Sequence, residues 1–194
     1  MKARSILFSG AMVRAILDGV KTQTRRIVKP PSKIVPEWPF PITPCPYGQA
    51  GDRLWVRETW WQDRRDQLVA VMDVDGYTID KHQASNATGC HVGDMAGLRA
   101  NQFWRKRPSI HMPRWASRIT LEIVAIRVER LQDISEADAI AEGIEPMFLG
   151  ETPDMKRLGA RVQFKELWER INGPGSWAAN PWVWVIEFRR IPHG

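Results

Sequence analysis

Apolar residues in the first sixty positions follow two spacings, one typical of strands and one typical of a helix. Residues 4–9 have a continuous apolar centre, which predicts a strand buried on both faces. Residues 12–17 are apolar at helical spacing and are followed by Gly19, which predicts a short helix that ends there. Residues 53–60 alternate between polar and apolar side chains and predict a second strand.

The second half of the chain predicts two more strands and two more helices. Residues 119–131 form a long alternating strand with a register slip near Ala125 and Ile126. Residues 134–143 predict a helix with Ser135 as its N-cap, Asp138 as an approximate capping-box partner and Gly143 as its end. Residues 161–171 predict an amphipathic helix. Residues 182–188 are apolar on both faces, so we expect this last strand to be central in its sheet.

Two segments between these elements lack a clear hydrophobic period. Residues 29–46 are dense in proline, which favours an extended covering loop. Residues 62–105 have a weak pattern and many turn residues, so we interpret them as an insertion that carries a hairpin. The whole chain, residues 1–194, then reads as a single α+β domain: a β-barrel covered by short helices.

The charge and the tryptophan content point towards a phosphate-bearing or aromatic partner. The formal net charge is +6, the chain holds more Arg than Lys, and it has 10 Trp residues. Guanidinium groups bind phosphate well, and indole rings are platforms for base stacking. A nucleoside or a nucleic acid is therefore the expected partner, although a merely basic surface would give the same totals.

Location and redox state follow from what the sequence lacks. No apolar run approaches the length of a membrane span, and the N-terminus has too short an apolar patch for a secretory signal. We therefore expect a cytoplasmic protein with no membrane partner. Cys45 and Cys90 are far apart in sequence and are expected to be reduced thiols.

The segment of residues 19–26 carries the strongest candidate chemistry. Lys21 and Thr24 can meet only if the backbone turns after the helix, because a straight strand would place them on opposite faces. A lysine activates a hydroxyl only when its pKa is lowered, and burial beside Arg25 and Arg26 would lower it. The alternative is a solvated basic turn that touches phosphate.

Glu142 is the carboxylate that completes this candidate site. It lies in the last turn of the predicted helix, where its charge opposes the helix dipole, so it is either exposed or held there for chemistry. His82, Cys90 and His91 match no zinc-binding spacing, and neither a metal nor another cofactor is expected.

Aromatic and basic side chains supply candidates for substrate binding, with packing as the alternative for each Trp. Trp168, Trp182 and Trp184 sit at core spacing and are read as packing residues. The candidates for binding are Arg26, Trp55, Arg57, Trp60, His111, Arg114 and Trp115.

The order of these segments resembles the ASCH domain, a member of the PUA-like β-barrel superfamily. The residues that carry the resemblance are 16–26, 51–56, 141–143 and 183–188. Residues 55–60 and 110–115 are similar to the longer form of the family that phages and prophages encode. The resemblance implies a PUA-like barrel with a pocket that recognises a nucleobase.

The resemblance also implies an activity, because one branch of the family removes the acetyl group from N4-acetylcytidine with a Lys, a Thr and a Glu. These fall on Lys21 as the base, Thr24 as the nucleophile and Glu142 for proton transfer to the leaving amine, with Arg26 placing the substrate. The alternatives are a non-catalytic RNA- or DNA-binding module, a nuclease of phage origin, or a structural role in a phage particle. Whether the chain is an enzyme stays open at this point.

Overall fold

The computed structural model describes residues 1–29, 44–63, 69–73, 76–79, 104–145, 147–148 and 157–191. Most of the predicted proline-dense loop lies outside these residues, as do His82, Cys90 and His91. The strands are β1 (Ala3–Leu7), β2 (Gln23–Ile27), β3 (Arg53–Arg57), β4 (Trp60–Asp63), β5 (Val69–Asp73), β6 (Gly76–Ile79), β7 (Trp104–Arg107), β8 (Thr120–Arg130), β9 (Met147–Phe148), β10 (Arg157–Leu158) and β11 (Trp182–Ile191).

The described residues contain three α-helices: α1 (Gly10–Leu17), α2 (Glu136–Ala141) and α3 (Ala160–Asn172). Their ends follow local capping chemistry. The Ser9 hydroxyl caps α1, and Gly19 follows that helix with a φ of 76°. Ser135 and Asp138 form a reciprocal capping box at the start of α2, as the sequence predicts.

The main sheet has five strands in the order β1-β3-β8-β11-β2 and is mixed. β1 and β3 are parallel, and the other neighbours are antiparallel. β11 lies between β8 and β2, which confirms its predicted central place. The pairing of β8 with β11 shifts between Glu187 and Phe188 of β11, because Val124 is an extra residue on β8 with no partner. This bulge lies next to the predicted slip at Ala125 and Ile126.

The prediction of a closed barrel is wrong, although the α+β class is confirmed. In the described residues, β1 and β2 are the two edges of the five-stranded sheet and share no backbone ladder. The two edges meet instead through a side chain, because the Arg26 Nη2 donates to the Leu7 carbonyl oxygen at 2.7 Å. In a barrel, backbone hydrogen bonds would join β1 to β2. Here the Arg26 guanidinium forms a hydrogen bond between these two strands instead.

A second sheet occupies the predicted insertion at residues 62–105, with the strand order β6-β5-β4-β7. The predicted hairpin is found there as the antiparallel pair of β5 and β6. The single strand predicted over residues 53–60 is wrong, because the chain leaves the main sheet between β3 and β4. Glu58 marks the break: it is buried, and Arg118 holds its two carboxylate oxygens at 3.0 and 3.1 Å.

Apolar side chains pack on both faces of the main sheet. One cluster joins α1 to the sheet and includes Ile6, Val13, Ile16, Leu54, Val56, Leu121, Ile123, Ile186 and Phe188. The other joins α2 and α3 to the sheet and includes Leu131, Ile134, Ala139, Phe164, Trp168, Val183 and Val185. Alternate residues of β11 enter the two clusters, as the period of a strand requires. The sheet therefore lies between the apolar cluster of α1 and the apolar cluster of α2 and α3.

Candidate functional site

Lys21 is held in the turn that joins α1 to β2. Its backbone N–H donates to the Ala15 carbonyl at 2.8 Å, and the N–H of Thr22 donates to the Ala141 carbonyl at 2.9 Å. The backbone therefore turns between α1 and α2, instead of running straight into the strand. Lys21 itself is buried, with 2% of its surface exposed.

The ammonium group of Lys21 meets the end of α2. Its Nζ donates to Glu142 Oε2 at 2.9 Å and to the Glu142 backbone carbonyl at 2.7 Å. Glu142 is the C-cap residue, so this carbonyl belongs to the negative end of the helix. The cation offsets the electrostatic cost of placing a carboxylate there, which explains how Glu142 is tolerated in a buried position.

Gly143 permits this close approach. It has a φ of 87°, and a Cβ at this position would lie 2.9 Å from the Ala15 Cβ and 3.1 Å from the Lys21 Cβ. A side chain would therefore be strained by the backbone and would push α2 away from Lys21. Gly143, which the sequence predicts as the end of the helix, therefore also allows Glu142 to contact Lys21.

The pKa of Lys21 is lowered from its ordinary value. Burial is the largest cause, because it disfavours the charged amine. The Glu142 carboxylate opposes the shift, while the charges of Arg26 and Arg25 add to it. The Lys21 amine therefore loses its proton more readily than the amine of a solvated lysine.

Arg25 lies beside this pair and is bound by three carboxylates. Its Nη1 is 3.3 Å from Glu142 Oε1, and its Nη2 is 2.5 Å from Glu129 Oε1 and 3.5 Å from Asp138 Oδ2. The Arg25 side chain has no exposed surface. A buried cation with several acidic partners fixes the position of each, including Glu142.

Arg127 and Gln23 form further polar contacts with the carboxylates around Arg25. Arg127 pairs with Glu129, Asp138 and Glu187, and Gln23 donates to Asp138. The pKa of Asp138 is lowered: burial works against the charged form, but hydrogen bonds from Ser135 and Gln23 and the charge of Arg25 outweigh it. Asp138 thus links the cap of α2 to the charges near Glu142.

A cavity of about 70 Å³ opens next to Glu142. Its wall is formed by Met12, Thr24, Arg25, Arg26, Ile27, Glu142, Phe164, Leu167, Trp168, Ile171 and Asn172. Four consecutive residues of β2 line it, although alternate residues of a strand point to opposite faces. The cavity therefore runs along the free edge of β2, between that edge and α3.

Two of the three predicted catalytic residues, Thr24 and Glu142, line this cavity. Lys21 is not one of its lining residues, but it is hydrogen-bonded to Glu142. Arg26 also lines the cavity, with its guanidinium carbon 5.3 Å from the centre of the Phe8 ring. Burial lowers the pKa of Arg26. Of the residues predicted for substrate binding, Arg26 is the one on the cavity wall.

The other six predicted binding residues lie together elsewhere, and we call them the aromatic surface: Trp55, Arg57, Trp60, His111, Arg114 and Trp115. Trp60 is buried and meets the exposed Trp115 edge-on, with ring centres 6.2 Å apart. Arg57 lies 5.0 Å from the centre of the Trp55 ring and donates to the Met112 carbonyl. His111 and Arg114 are exposed on two single turns of 3₁₀-helix.

The aromatic surface is connected to the cavity through one backbone segment. Leu7 accepts the hydrogen bond of Arg26 and is paired in register with Arg57 across β1 and β3. The two sets of predicted residues therefore approach each other at Leu7, but they do not line a common cavity.

Sequence reasoning missed the contribution of α3. Phe164, Trp168 and Asn172 form one wall of the cavity, and the interpretation of Trp168 as a pure packing residue was incomplete. The apolar spacing of α3 correctly places Phe164 and Trp168 inward, but Val162 and Ile171, which the same spacing predicts to face inward, are exposed. It gave no sign that part of this face would meet the edge of β2 across an open space.

Comparisons with known proteins add little to this geometry. No model of a known protein family matches the chain, and no curated protein matches it. Among solved structures, the chain is similar to an ASCH domain from Lactobacillus crispatus, at 12% identity over 99% of this chain and 81% of that one, with a TM-score of 0.43. A likeness at this level carries no argument about function.

The described part of the chain lacks two other features. Within them, no group of three or more His, Cys, Asp or Glu side chains is placed to hold a metal ion. None of the helices seen in those residues has the length and apolar character to cross a membrane.

Proposed function

We propose that this chain is an ASCH-type protein that recognises a nucleoside and hydrolyses an amide on a modified cytidine base. One observation carries the proposal: Glu142, which is hydrogen-bonded to the buried Lys21, lines the same cavity as Thr24. A nucleophile, a base and an acid are the three groups that acyl transfer from an amide requires.

The proton of the buried pair sets the starting state of the reaction. In the proposed mechanism the proton passes from Lys21 to Glu142, which leaves a neutral amine and a carboxylic acid. The amine takes the proton of the Thr24 hydroxyl as its oxygen attacks the amide carbonyl. The carboxylic acid then gives its proton to the nitrogen that leaves, and the acetyl group stays on Thr24.

Water completes the cycle. Glu142, now a carboxylate, accepts a proton from the water that attacks the acetyl ester, and Lys21 returns its proton to the Thr24 oxygen. The products are acetic acid, which ionises to acetate by giving its proton to solvent, and the free cytidine amine. Arg26 lines the cavity beside Thr24 and would hold the substrate carbonyl.

The size of the cavity limits which part of the substrate enters. Its volume of about 70 Å³ is well below the roughly 300 Å³ of a pocket that encloses a complete ligand. The modified edge of the base would therefore enter, while the sugar stays at the mouth.

The test is to incubate the protein with N4-acetylcytidine and to measure, by chromatography of the nucleoside, its conversion to cytidine as acetate is released. Lys21→Met, Thr24→Val and Glu142→Gln should each lower kcat/KM by roughly 100-fold or more, because each removes a proton-transfer group or the nucleophile. Thr24→Ser keeps the hydroxyl and should retain most of the activity. No turnover by the wild-type protein, or full turnover by Lys21→Met, would refute the proposed reaction.

A second candidate is non-catalytic binding of RNA or DNA through the aromatic surface. The observation in its favour is Trp115, which is 54% exposed and supported edge-on by Trp60. Binding of a single-stranded oligonucleotide should weaken steeply with salt and should lose stacking energy in Trp115→Ala. Salt-independent binding would exclude this candidate.

The nuclease activity, the cytoplasmic location and the phage origin stay predictions.

A further inference from the structure

Arg26 is a cation on the cavity wall that no carboxylate contacts. Lys21 and Arg25 are each held by carboxylates, whereas none of the ion pairs seen in the described residues includes Arg26. The Arg26 guanidinium is partly buried, and the backbone carbonyl of Leu7 that it binds carries no net charge. A cation withdrawn from water without an anion beside it is unfavourable, so this position favours an anionic ligand.

Glu142 lies on the same cavity wall but does not serve as this anion. Its Oε2 accepts a hydrogen bond from Lys21 Nζ at 2.9 Å, and its Oε1 lies 3.3 Å from Arg25 Nη1. Both carboxylate oxygens are therefore already bound to cations. Glu142 acts on Arg26 only from beyond the distance of an ion pair.

Two donors on β2 are available to such a ligand. Thr24 and Arg26 are two residues apart on this strand, so their side chains lie on the same face, and both residues line the cavity. In the described residues, neither the Thr24 hydroxyl nor Arg26 Nη1 has a hydrogen-bond partner, and neither is among the fully enclosed atoms that lack one. Arg26 Nε is enclosed, and Nη2 is bound to Leu7. A carboxylate has two oxygens and can accept from both the hydroxyl and Nη1.

The rest of the cavity wall is mostly apolar, which limits the kind of anion that fits. Met12 of α1 and Phe164, Leu167 and Ile171 of α3 line it. The volume of about 70 Å³ leaves room for only a few non-hydrogen atoms. Inorganic phosphate carries oxygens on every side and would turn some of them towards this wall. A short carboxylate has one charged end and one apolar end, which matches the two sides of the cavity.

We propose that the cavity binds a short-chain carboxylate, whose oxygens accept hydrogen bonds from Arg26 Nη1 and the Thr24 hydroxyl while its alkyl group lies against the apolar wall. Acetate belongs to this class and is released by the proposed reaction, so it should compete with the next substrate molecule. The inference rests on the proposed function only in this last step, because a site for short carboxylates does not require hydrolysis.

The first experiment titrates the ¹⁵N-labelled full chain with sodium acetate, while sodium chloride keeps the ionic strength constant. The Arg26 Nε–H signal reports on the site, because this atom is enclosed and its proton should exchange slowly with water. The signal is assigned by its loss in Arg26→Lys. We expect it to shift with saturation at a dissociation constant of roughly 1 mM, since a ligand of so few atoms has little binding energy.

Other small ligands of the wild-type protein separate charge from shape. Acetamide has the shape of acetate without its charge and should bind roughly tenfold more weakly or worse, because hydrogen bonds to a charged group are the stronger ones. Formate lacks the methyl group and should bind about fourfold more weakly, the worth of one buried methyl. Inorganic phosphate should bind more weakly than acetate.

Variants then locate the site, with saturation transfer to the acetate methyl protons as the measure of binding. Arg26→Met removes the cation and should weaken binding roughly tenfold or more, and Arg26→Lys should restore a part of it. Arg130→Met is the matched control. Arg130 also donates to a backbone carbonyl and lies over an aromatic ring, 4.3 Å from the centre of Trp182, but it does not line the cavity. Its loss should leave the affinity unchanged.

Thr24→Val tests the site independently of Arg26, including the case in which Arg26→Met does not fold. It removes the second donor and keeps the shape of the side chain. Acetate binding should weaken by roughly three- to tenfold, the worth of one hydrogen bond.

Each contrary result overturns the inference. No shift with acetate would mean that no such site exists, and equal binding of acetamide would show that charge is not recognised. Tighter binding of phosphate would show that the site selects inorganic anions, and full acetate binding by Arg26→Met would place the carboxylate elsewhere. Acetate binding without hydrolysis of N4-acetylcytidine would refute the proposed reaction but leave this inference standing, whereas hydrolysis without acetate binding would do the reverse.

Discussion

Two regions of the molecule differ from the usual rule that charged residues are exposed and apolar ones buried. One is the aromatic surface. The other we call the charge cluster, and it consists of Lys21, Arg25, Glu129, Asp138 and Glu142. In the charge cluster Lys21 and Arg25 are almost completely buried, and each is bound by carboxylates. On the aromatic surface Trp115 is 54% exposed. Charged side chains thus form a part of the interior, and a large apolar side chain faces solvent.

The two regions differ in the interactions that keep their side chains in position. In the charge cluster the position of every group depends on its ion partners, because a buried charge without one is strongly unfavourable. On the aromatic surface Trp115 has one face supported by Trp60 and the rest open. A change in the first region should therefore affect the stability of the whole domain, whereas a change in the second should affect only what the surface binds.

The largest expected effect comes from breaking the charge cluster at its centre. Arg25→Met should lower the free energy of unfolding by about 3–5 kcal/mol, because Glu129, Asp138 and Glu142 lose their shared cation in a buried setting. Urea denaturation measures the loss. The control is Arg189→Met, since the pair of Arg189 and Glu122 is exposed and worth about 1 kcal/mol or less. Equal losses in the two variants would show that burial does not strengthen the cluster.

A smaller effect with a distinct pH dependence is expected for Glu142→Gln. The lowered pKa of Lys21 means that the unfolded chain binds more protons between this pKa and the ordinary value of 10.5, so wild-type stability rises with pH across that window. Glu142 holds the pKa of Lys21 up, so its loss should extend the window to lower pH.

The measurement is a series of urea denaturations at increasing pH. At neutral pH, Glu142→Gln should be less stable than wild type by about 2 kcal/mol, because a buried ammonium loses a charged hydrogen-bond partner. The difference should narrow as the pH rises towards 10.5 and Lys21 becomes neutral in both proteins. A difference that does not change with pH would show that the titration of Lys21 is not its cause.

The smallest effect on stability is expected on the aromatic surface. Trp115→Ser should change the free energy of unfolding by no more than about 0.5 kcal/mol, as is usual for an exposed position. Thermal unfolding checks this result, and Trp60→Ser serves as the buried comparison with a clear loss. A large loss in Trp115→Ser would mean that this residue supports the fold instead of presenting a surface.

Much of the local structure could be predicted, because it depends on neighbours in sequence. The capping box of Ser135 and Asp138 and the central strand β11 follow from residue types within a few positions. Gly19 and Gly143 likewise mark helix ends where the backbone takes a positive φ. These features need no knowledge of the rest of the molecule.

The errors arose where distant segments compete for the same groups. The barrel was expected to close by backbone pairing, but Arg26 donates to Leu7 in place of a ladder. The strand over residues 53–60 was expected to continue, but Arg118, which is distant in sequence, binds Glu58 and the chain turns into a second sheet. Neither partner is visible in a local pattern.

The sequence by itself determined the three helices α1, α2 and α3 and the strands β1, β8 and β11, since their periods and caps are properties of neighbouring residues. It also supplied Lys21, Thr24 and Glu142 as candidates through their residue types. Only the tertiary structure decided that Lys21 and Glu142 would touch, that Arg25 would be enclosed by three carboxylates, and that Trp168 would face the edge of β2 across a cavity. These contacts join residues more than one hundred positions apart, and burial gives them an energy that no local pattern encodes.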